Sequence, residues 1–252
     1  DGKPVSMERG ECRIGADGKS KGPLVRGRSW AMAWAPGLDE VLKHEGRPGI
    51  LALRSECAPL PDVNNLKSPT CIERNAQVLE WIRQNRPERV YLIAAWQAWT
   101  NVTAGYPLQD ASGMQGNDRI FEVAYPRTLQ AIAPYVKEIV VVGPVPGAPE
   151  FLPYQLALVD WNDAKLPPPV TRVDSAKDAS KFWQVAGRSS ANARMIDPAD
   201  WFCDETTCLY LDEGRLLYRD GHHLSVDGAR FVARHLIATD VSSISGSAIE
   251  AR

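Results

Sequence analysis

The 252-residue sequence predicts an α/β fold in which helices cover both faces of a parallel sheet. Near-continuous apolar runs, RVYLIAAW at 89–96 and EIVVVGPVP at 138–146, are typical of strands buried on both faces. Segments whose apolar residues recur at helical intervals lie between such runs. In parallel sheets, ligands collect at the carboxyl ends of the strands. We therefore expect a functional site in the loops that follow the strands.

The predicted elements alternate along the chain between strand and helix. Strands are predicted at 22–27, 49–55, 89–96 and 138–146. Helices are predicted at 29–46, 71–88, 117–136, 175–195 and 225–239. A proline inside a helix removes a hydrogen bond and crowds the preceding turn. We therefore expect Pro36 and Pro126 to kink or interrupt the helices that contain them.

Composition sets the outer boundaries of the predicted domain. Residues 1–22 are polar and glycine-rich, which predicts a lead-in or linker segment. The folded domain is expected at 23–240, followed by a flexible tail at 241–252. Residues 147–172 are rich in proline and lack a clear period, so we expect a long surface excursion there.

The charge balance argues against one class of function. There are 29 Lys and Arg residues against 31 Asp and Glu, so the net charge of −2 lacks the basic footprint of a nucleic-acid-binding domain. No apolar run reaches the roughly 18 residues that a membrane helix needs. The chain begins with neither an initiator Met nor an apolar signal core. We therefore expect a domain cut from a longer protein.

The five cysteines suggest two local disulfides. Cys57 with Cys71, and Cys203 with Cys208, would each close a short loop, which suits an oxidising compartment. Cys12 would be left over. The alternative is a set of reduced, partly buried thiols.

A candidate nucleophile lies at the end of the first predicted strand. Ser29 follows Gly27 at a strand-to-helix turn, where a residue without Cβ permits a tight backbone. Backbone N–H groups at a helix N-terminus can hold an oxyanion beside such a serine. The alternative is that Ser29 only caps the helix, which is the commonest role for serine in that place.

A second candidate segment, YRDGHHLSVDGA, precedes the last predicted helix, for which Ser225 is the expected N-cap. A serine hydroxyl is a weak nucleophile until a base takes its proton. His223 is the candidate base, and Asp220 is the carboxylate that would orient it. Adjacent side chains point in different directions, so we expect at most one of His222 and His223 to face Ser29. The alternative is that Asp220 caps a turn and both imidazoles are solvated.

Residue types that bind zinc occur in this loop, at Asp220, His222 and His223, and also at Cys203 and Cys208, but we expect no metal. The spacing of Cys203 and Cys208 is looser than that of a short zinc knuckle, and a disulfide competes for both sulfurs. Trp96 and Trp99 follow a predicted strand end, where aromatic rings could stack on sugar, although core packing is the commoner role for a tryptophan. Trp30, directly after Ser29, is a further candidate for substrate contact.

Several quoted motifs together resemble a known family. RGRSWAMAWAPGLDEVL from residue 26, LALRSECAPLPDV from 51, VVVGPVP from 140 and FCDETTCLYLDEGRLLYRDGHHLSVDGA from 202 are similar to the SGNH hydrolase-like domain. The version fused behind the membrane part of family-3 acyltransferases, which O-acylate bacterial glycans, is the most similar. The resemblance covers most of residues 12–237 and implies a three-layer α/β/α sandwich.

The resemblance also implies roles for individual residues. It makes Ser29 the nucleophile, Asp220 the orienting acid and His223 the base, in a catalytic domain at 23–240. The chain departs from the family pattern at Arg28 and Trp30, because the family has Gly-Asp-Ser-His where this sequence has Gly-Arg-Ser-Trp. We expect both residues near the substrate.

The remaining oxyanion donors of the family are not visible in the sequence. RSECAPL and AAWQAWTN occupy the places of the second-block Gly and third-block Asn. The backbone N–H of Ser29 is one expected donor. The other candidates are neighbouring residues only: Ser55, Glu56, Trp96 and Asn101.

These expectations combine into a serine acyltransferase. It would move an acyl group, most simply acetyl, onto a hydroxyl of a bacterial surface or periplasmic glycan, with no metal or organic cofactor. An N-terminal membrane acyltransferase domain would supply acyl groups to this monomeric domain at the periplasmic face of the inner membrane. The alternatives are a carbohydrate esterase, or a glycan-binding module whose altered Gly-Arg-Ser-Trp block has ended catalysis.

Overall fold

A computed structural model describes residues 13–18, 22–27, 29–53, 56–100, 106–162, 165–189 and 193–247. The strands are β1 (Arg13–Gly15), β2 (Leu24–Gly27), β3 (Pro48–Leu53), β4 (Val63–Asn65), β5 (Arg89–Ile93), β6 (Leu108–Asp110), β7 (Glu138–Val142), β8 (Ala193–Ile196), β9 (Leu211–Asp212) and β10 (Arg215–Leu216). The helices are α1 (Ser29–His44), α2 (Cys71–Asn85), α3 (Trp96–Thr100), α4 (Asn117–Ile132), α5 (Leu152–Asn162), α6 (Arg172–Ala186), α7 (Ala199–Phe202) and α8 (Val226–Ser247). None of the described helices combines the length and apolar character of a bilayer-spanning segment.

The central sheet has six strands in the order β1-β3-β2-β5-β7-β8. All neighbouring pairs are parallel except β1, which runs antiparallel to β3 at one edge. Two small antiparallel ribbons, β4 with β6 and β9 with β10, lie outside this sheet. The five parallel strands therefore direct their carboxyl ends to one edge of the sheet.

The two faces of the sheet carry separate hydrophobic cores. On β5, Tyr91 and Ile93 belong to the core that contains residues of α1 and α8. Val90 and Leu92 belong to the core on the opposite face, which contains residues of α2, α4 and α6. This alternation follows from the two-residue side-chain period of a strand. The predicted three-layer α/β/α sandwich with a central parallel sheet is confirmed.

Helices α1 and α4 continue through Pro36 and Pro126, so neither proline interrupts its helix. Pro36 lies inside α1 and Pro126 inside α4. A proline costs one backbone hydrogen bond, but Trp34 and Leu38 beside Pro36 are each 1% exposed. Burial of the apolar face outweighs that local cost.

Two elements were missed in the second half of the chain. Helix α5 lies within 147–172, where only a surface excursion was expected, and strand β8 overlaps the end of the predicted helix 175–195. Helix α6 begins earlier than expected, because Thr171 caps it by accepting a hydrogen bond from the Asp174 N–H. Helix α6 ends at Ala186, before the residues that form β8 in the sheet.

The outer elements extend past the predicted boundaries at both ends. Strand β1 lies inside the segment predicted as a lead-in, because it pairs with β3 from Arg13 to Gly15. Helix α8 continues to Ser247, beyond the expected boundary at 240.

Candidate active site

Strand β2 ends at a glycine whose missing side chain makes room for the neighbouring strand. A Cβ at Gly27 would lie 1.9 Å from the carbonyl oxygen of Ile93 on the neighbouring strand β5. Glycine therefore lets β2 and β5 approach closely where the chain turns into α1. Ser29 is the first residue of that helix and lies directly beyond the strand end.

The loop from Tyr218 to Leu224 precedes α8 and is fixed at both ends. Tyr218 and Leu224 form an isolated antiparallel bridge, and the Arg219 N–H donates to the His223 carbonyl oxygen. Ser225 Oγ accepts a hydrogen bond from the Gly228 N–H at 2.9 Å, so Ser225 caps α8 as predicted. These bonds fix the position of His223 independently of its contact with Ser29.

Close packing of α1 against α8 brings the two segments together. A Cβ at Gly37 on α1 would lie 2.0 Å from the carbonyl oxygen of Ala229 on α8. A Cβ at Gly228 would lie 1.9 Å from the carbonyl oxygen of Leu217. At both positions the backbone of another segment lies where a Cβ would be, so glycine permits the close contact.

Ser29, His223 and Asp220 form a continuous hydrogen-bonded row. Ser29 Oγ lies 2.9 Å from His223 Nε2, and His223 Nδ1 lies 2.8 Å from Asp220 Oδ2. The other carboxylate oxygen, Oδ1, accepts hydrogen bonds from the backbone N–H groups of His222 and His223. The carboxylate is therefore held on both oxygens, and the imidazole bridges it to the hydroxyl.

The electrostatics favour a neutral imidazole next to an ionised carboxylate. Burial lowers the pKa of His223 below its usual value, and the hydrogen bond to Asp220 offsets only part of that effect. Burial raises the pKa of Asp220, but the N–H bonds from His222 and His223 outweigh it, and the pKa lies below its usual range. A neutral ring with Nδ1–H directed at Asp220 leaves Nε2 free to accept the Ser29 proton.

Ser29 and His223 line a cleft of about 740 Å³. Trp30 forms part of its wall, and its ring stacks on His222 with centroids 5.8 Å apart. Polar side chains from α3, α4 and α6 line it with Tyr106: Gln97, Thr100, Asp118, Lys177, Asp178, Ser180 and Lys181. The cleft therefore presents hydrogen-bonding groups, including charged groups of both signs, around Ser29 and His223.

The family model for the SGNH domain fused to AT3 domains matches residues 1–238. The chain belongs to this SGNH family. A search of curated proteins found no significant match to the sequence.

Solved structures include one with the same overall fold. The periplasmic domain of a lipopolysaccharide acetyltransferase from Salmonella ser. Paratyphi A aligns with a TM-score of 0.67 at 18% identity, over 89% of this chain and 85% of that one. An acetyl xylan esterase aligns with a TM-score of 0.49 at 18% identity, over 86% of this chain and 98% of that one. A peptidoglycan O-acetylesterase aligns with a TM-score of 0.43 at 17% identity, over 68% of this chain and 42% of that one. This chain therefore shares its overall fold with the first of these structures.

Three predicted site residues of this SGNH domain lie outside the described residues: Arg28, Ser55 and Asn101. Glu56 is described, in a left-handed backbone conformation with φ of 59°. Its carbonyl oxygen accepts a hydrogen bond from the side chain of Asn65.

The expectation that Trp96 contacts substrate is wrong. Its side chain is 0% exposed, and its ring stacks on Phe182 with centroids 5.2 Å apart. The indole N–H donates to the Val142 carbonyl oxygen at 2.7 Å. Trp96 therefore packs in the core behind the strand ends, as does the fully buried Trp99. The core role that the sequence also allowed is the correct one.

Both predicted disulfides of the SGNH domain are present. Cys57 pairs with Cys71, and Cys203 pairs with Cys208. Their sulfurs are therefore not available as zinc ligands. Cys12 lies outside the described residues.

Apart from Trp30, the side chains of the cleft wall were missed from the sequence. Gln97 lies just beyond the end of β5, so the rule about strand ends could have found it. Lys177 and Lys181 are four residues apart on a predicted helix, which indicates only a shared helix face. No local pattern connects that face with Ser29, because tertiary packing alone brings α6 to the site.

Proposed function

We propose that this SGNH domain is an O-acyltransferase that moves an acyl group, acetyl in the simplest case, onto a sugar hydroxyl of a bacterial surface or periplasmic glycan. The hydrogen-bonded row of Ser29, His223 and Asp220 is the observation that carries this proposal. In it, a hydroxyl, a neutral imidazole and a carboxylate have the order required for nucleophilic acyl transfer.

In the first half-reaction, Ser29 takes the acyl group from a donor. Ser29 Oγ attacks the acyl carbonyl carbon while His223 Nε2 accepts the hydroxyl proton. Asp220 stabilises the resulting imidazolium through Nδ1. The tetrahedral intermediate collapses to acyl-Ser29, and His223 returns the proton to the departing group of the donor.

In the second half-reaction, a sugar hydroxyl replaces the donor. His223 Nε2 takes the proton of the sugar hydroxyl as its oxygen attacks the acyl-Ser29 carbonyl. The intermediate then releases Ser29, whose oxygen recovers the proton from His223. The products are an acylated sugar and the free serine.

Negative charge on the carbonyl oxygen requires hydrogen-bond donors in both steps. The first N–H groups of a helix lack partners within it, so the N–H of Ser29 at the start of α1 supplies one. Loss of one such donor typically costs about a hundredfold or more in rate. The polar cleft wall, from Gln97 to Lys181, supplies hydrogen-bonding groups for the hydroxyls of the sugar.

We infer the cellular setting from the family. Its description as a domain fused to AT3 domains supports a membrane acyltransferase partner that delivers acyl groups to Ser29. Placement at the periplasmic face of the bacterial inner membrane agrees with the two disulfides, since they persist in oxidising compartments.

Partitioning of the acyl-enzyme separates a transferase from an esterase. The 252-residue domain is incubated with an aryl acetate, with and without a glycan acceptor, and both free acetate and acetylated glycan are quantified by mass spectrometry. A transferase yields acetylated glycan, and Ser29→Ala abolishes it while Ser112→Ala, at an exposed serine, does not. Release of acetate at an undiminished rate with every acceptor would instead indicate an esterase.

Labelling with a serine-directed fluorophosphonate tests the reactive row directly. We expect Ser29→Ala and His223→Ala to abolish labelling of a folded domain. His222→Ala should be much milder, because the His222 Nδ1 lies 3.9 Å from Asp220 and only the His223 ring bonds Ser29. A wild-type domain that binds glycan and never labels would support a binding module.

A further inference from the structure

Asp220 and His222 place two further metal-ligand atoms beside the imidazole of His223. One nitrogen from each histidine and one carboxylate oxygen all lie within 4.8 Å of one another. We propose that these three residues form an inhibitory binding site for Zn²⁺, in which binding rests on geometry alone and inhibition rests on the function proposed above. The set of Asp220, His222 and His223 is called the DHH cluster below.

The spacing of the DHH cluster suits a small tetrahedral ion. Zn²⁺ binds imidazole nitrogen and carboxylate oxygen at about 2.0–2.2 Å, which separates two tetrahedral ligands by about 3.4 Å. His223 Nδ1 lies 2.8 Å from Asp220 Oδ2, and His222 Nδ1 lies 3.9 Å from Asp220 Oδ1, the other oxygen of the same carboxylate. One ligand atom from each residue lies within 4.8 Å of the other two, so side-chain rotations would bring one carboxylate oxygen and both nitrogens to the tetrahedral spacing.

The cluster is accessible and partly pre-oriented. The side chains of His222 and Asp220 are 56% and 43% exposed, so an ion can enter from solvent. The backbone N–H groups of His222 and His223 fix the carboxylate, and stacking on Trp30 restrains the His222 ring. Three protein ligands leave a fourth position for water.

Binding would switch off the base through its tautomer. A neutral imidazole carries one proton, which His223 holds on Nδ1 when that atom donates to Asp220. A Zn²⁺–Nδ1 bond replaces the Nδ1–H bond, and the same proton must then reside on Nε2. The ring then donates to Ser29 Oγ instead of accepting from it, so His223 can no longer remove the serine proton.

The positive charge of Arg219 opposes the ion. Arg219 Nε lies 3.8 Å from Asp220 Oδ2, so its guanidinium repels a dication at the cluster. We therefore expect Arg219→Gln to bind Zn²⁺ severalfold more tightly than the wild type.

A binding titration tests the site without any need for activity. Zn²⁺ is titrated into the 252-residue domain in competition with a chromophoric chelator, and Co²⁺ absorption reports four-coordinate binding. We expect one ion per domain, and at least about tenfold weaker binding in His222→Gln, since even outer partners of a site typically contribute that much. His44→Gln, on the exposed end of α1, is the matched control and should bind normally. Absence of binding, or unchanged binding in His222→Gln, would overturn the proposal.

Activity then tests inhibition. Fluorophosphonate labelling of Ser29 should fall to background as Zn²⁺ saturates the wild type and should return after EDTA is added. His222→Gln, compared with its own zinc-free rate, should require at least about tenfold more Zn²⁺. Saturated binding that leaves labelling unchanged would refute the inhibitory role. A wild type that binds Zn²⁺ and never labels would instead count against the proposed function and leave the binding site standing.

Discussion

We expect the hydrogen bond to Asp220 to keep the proton of His223 on Nδ1, and a single-atom change tests this. In Asp220→Asn, Oδ1 can still accept the two backbone N–H bonds that hold the loop. The amide NH₂ then faces His223 Nδ1, so that nitrogen must accept and Nε2 must carry the proton. We expect a fall of ~10⁴ in the rate of Ser29 labelling, as for other triads with the wrong tautomer.

The measurement is the second-order labelling rate with a fluorophosphonate, and circular dichroism checks that Asp220→Asn remains folded. A rate within about tenfold of the wild type would mean that Asp220 does not set the tautomer. The Zn²⁺ inhibition proposed above depends on the same tautomer of His223. Both experiments therefore test which nitrogen of this ring carries the proton.

The lowered pKa of His223 predicts how the rate of Ser29 labelling depends on pH. Burial holds the pKa of His223 below its usual value of about 6.5, since desolvation exceeds the effect of Asp220. The ring is therefore neutral at neutral pH and accepts a proton only in more acidic solution. Labelling should be constant above neutrality and should fall on acidification, with a midpoint below about 6.5. A stopped-flow pH profile measures this, and a midpoint above that value would contradict the assigned environment.

At the scale of elements, the contact of α1 with α8 holds the two halves of the site together. In Gly37→Ala, the new methyl group would lie 2.0 Å from the carbonyl oxygen of Ala229, so one helix must move away. We expect a loss of about 1–3 kcal/mol in the free energy of unfolding, as for other overpacked contacts. Labelling should fall as well, because α1 carries Ser29 and α8 follows the loop of His223.

The control for Gly37→Ala is Gly187→Ala at the end of α6, where φ is −65° and the nearest atom to a Cβ, the Trp183 carbonyl oxygen, is 3.2 Å away. Urea denaturation should find this variant close to the wild type. Equal stability of the two variants would mean that the α1–α8 contact tolerates an extra methyl group.

An element could be predicted from the sequence where its buried residues recur at the regular interval of a strand or a helix. Of the four predicted strands, β2, β5 and β7 are almost wholly buried and β3 is partly buried, so their apolar runs were readily recognised. Helix α5 was missed because Tyr154 and Trp161 on it are 66% and 86% exposed, which removes the usual polar face. Strand β8 has only four residues and follows a helix-compatible stretch, so no signal separated it from α6.

The same distinction applies to the candidate site. Asp220 and His223 lie three residues apart in one turn, so their hydrogen bond could be predicted locally. Trp96 could not be placed, because a tryptophan after a strand is compatible with both core and surface. Its burial depends on Phe182, which lies far away in the sequence.

At the scale of the whole molecule, the site joins residues 194 positions apart in the chain. Ser29 follows the second strand of the sheet, whereas His223 lies beyond its last strand. The cleft walls come from α3, α4 and α6, which pack against the sheet on the face opposite to α1 and α8. The fold therefore places Ser29 and His223 on one side of the strand ends and the polar side chains of the cleft wall on the other.

The disulfide that closes the longer loop should contribute more to the stability of the whole molecule, although only with the logarithm of loop length. Cys57 and Cys71 are separated by 14 positions, and Cys203 and Cys208 by 5. Loop-closure entropy predicts losses of about 3 kcal/mol for Cys57→Ala/Cys71→Ala and about 2 kcal/mol for Cys203→Ala/Cys208→Ala in the free energy of unfolding. The first pair is also 2% and 0% exposed, so truncation leaves a cavity that adds to the larger loss. Denaturant unfolding without reductant measures both double variants. A loss below about 1 kcal/mol for the first would mean that packing alone fixes the segment between β3 and α2.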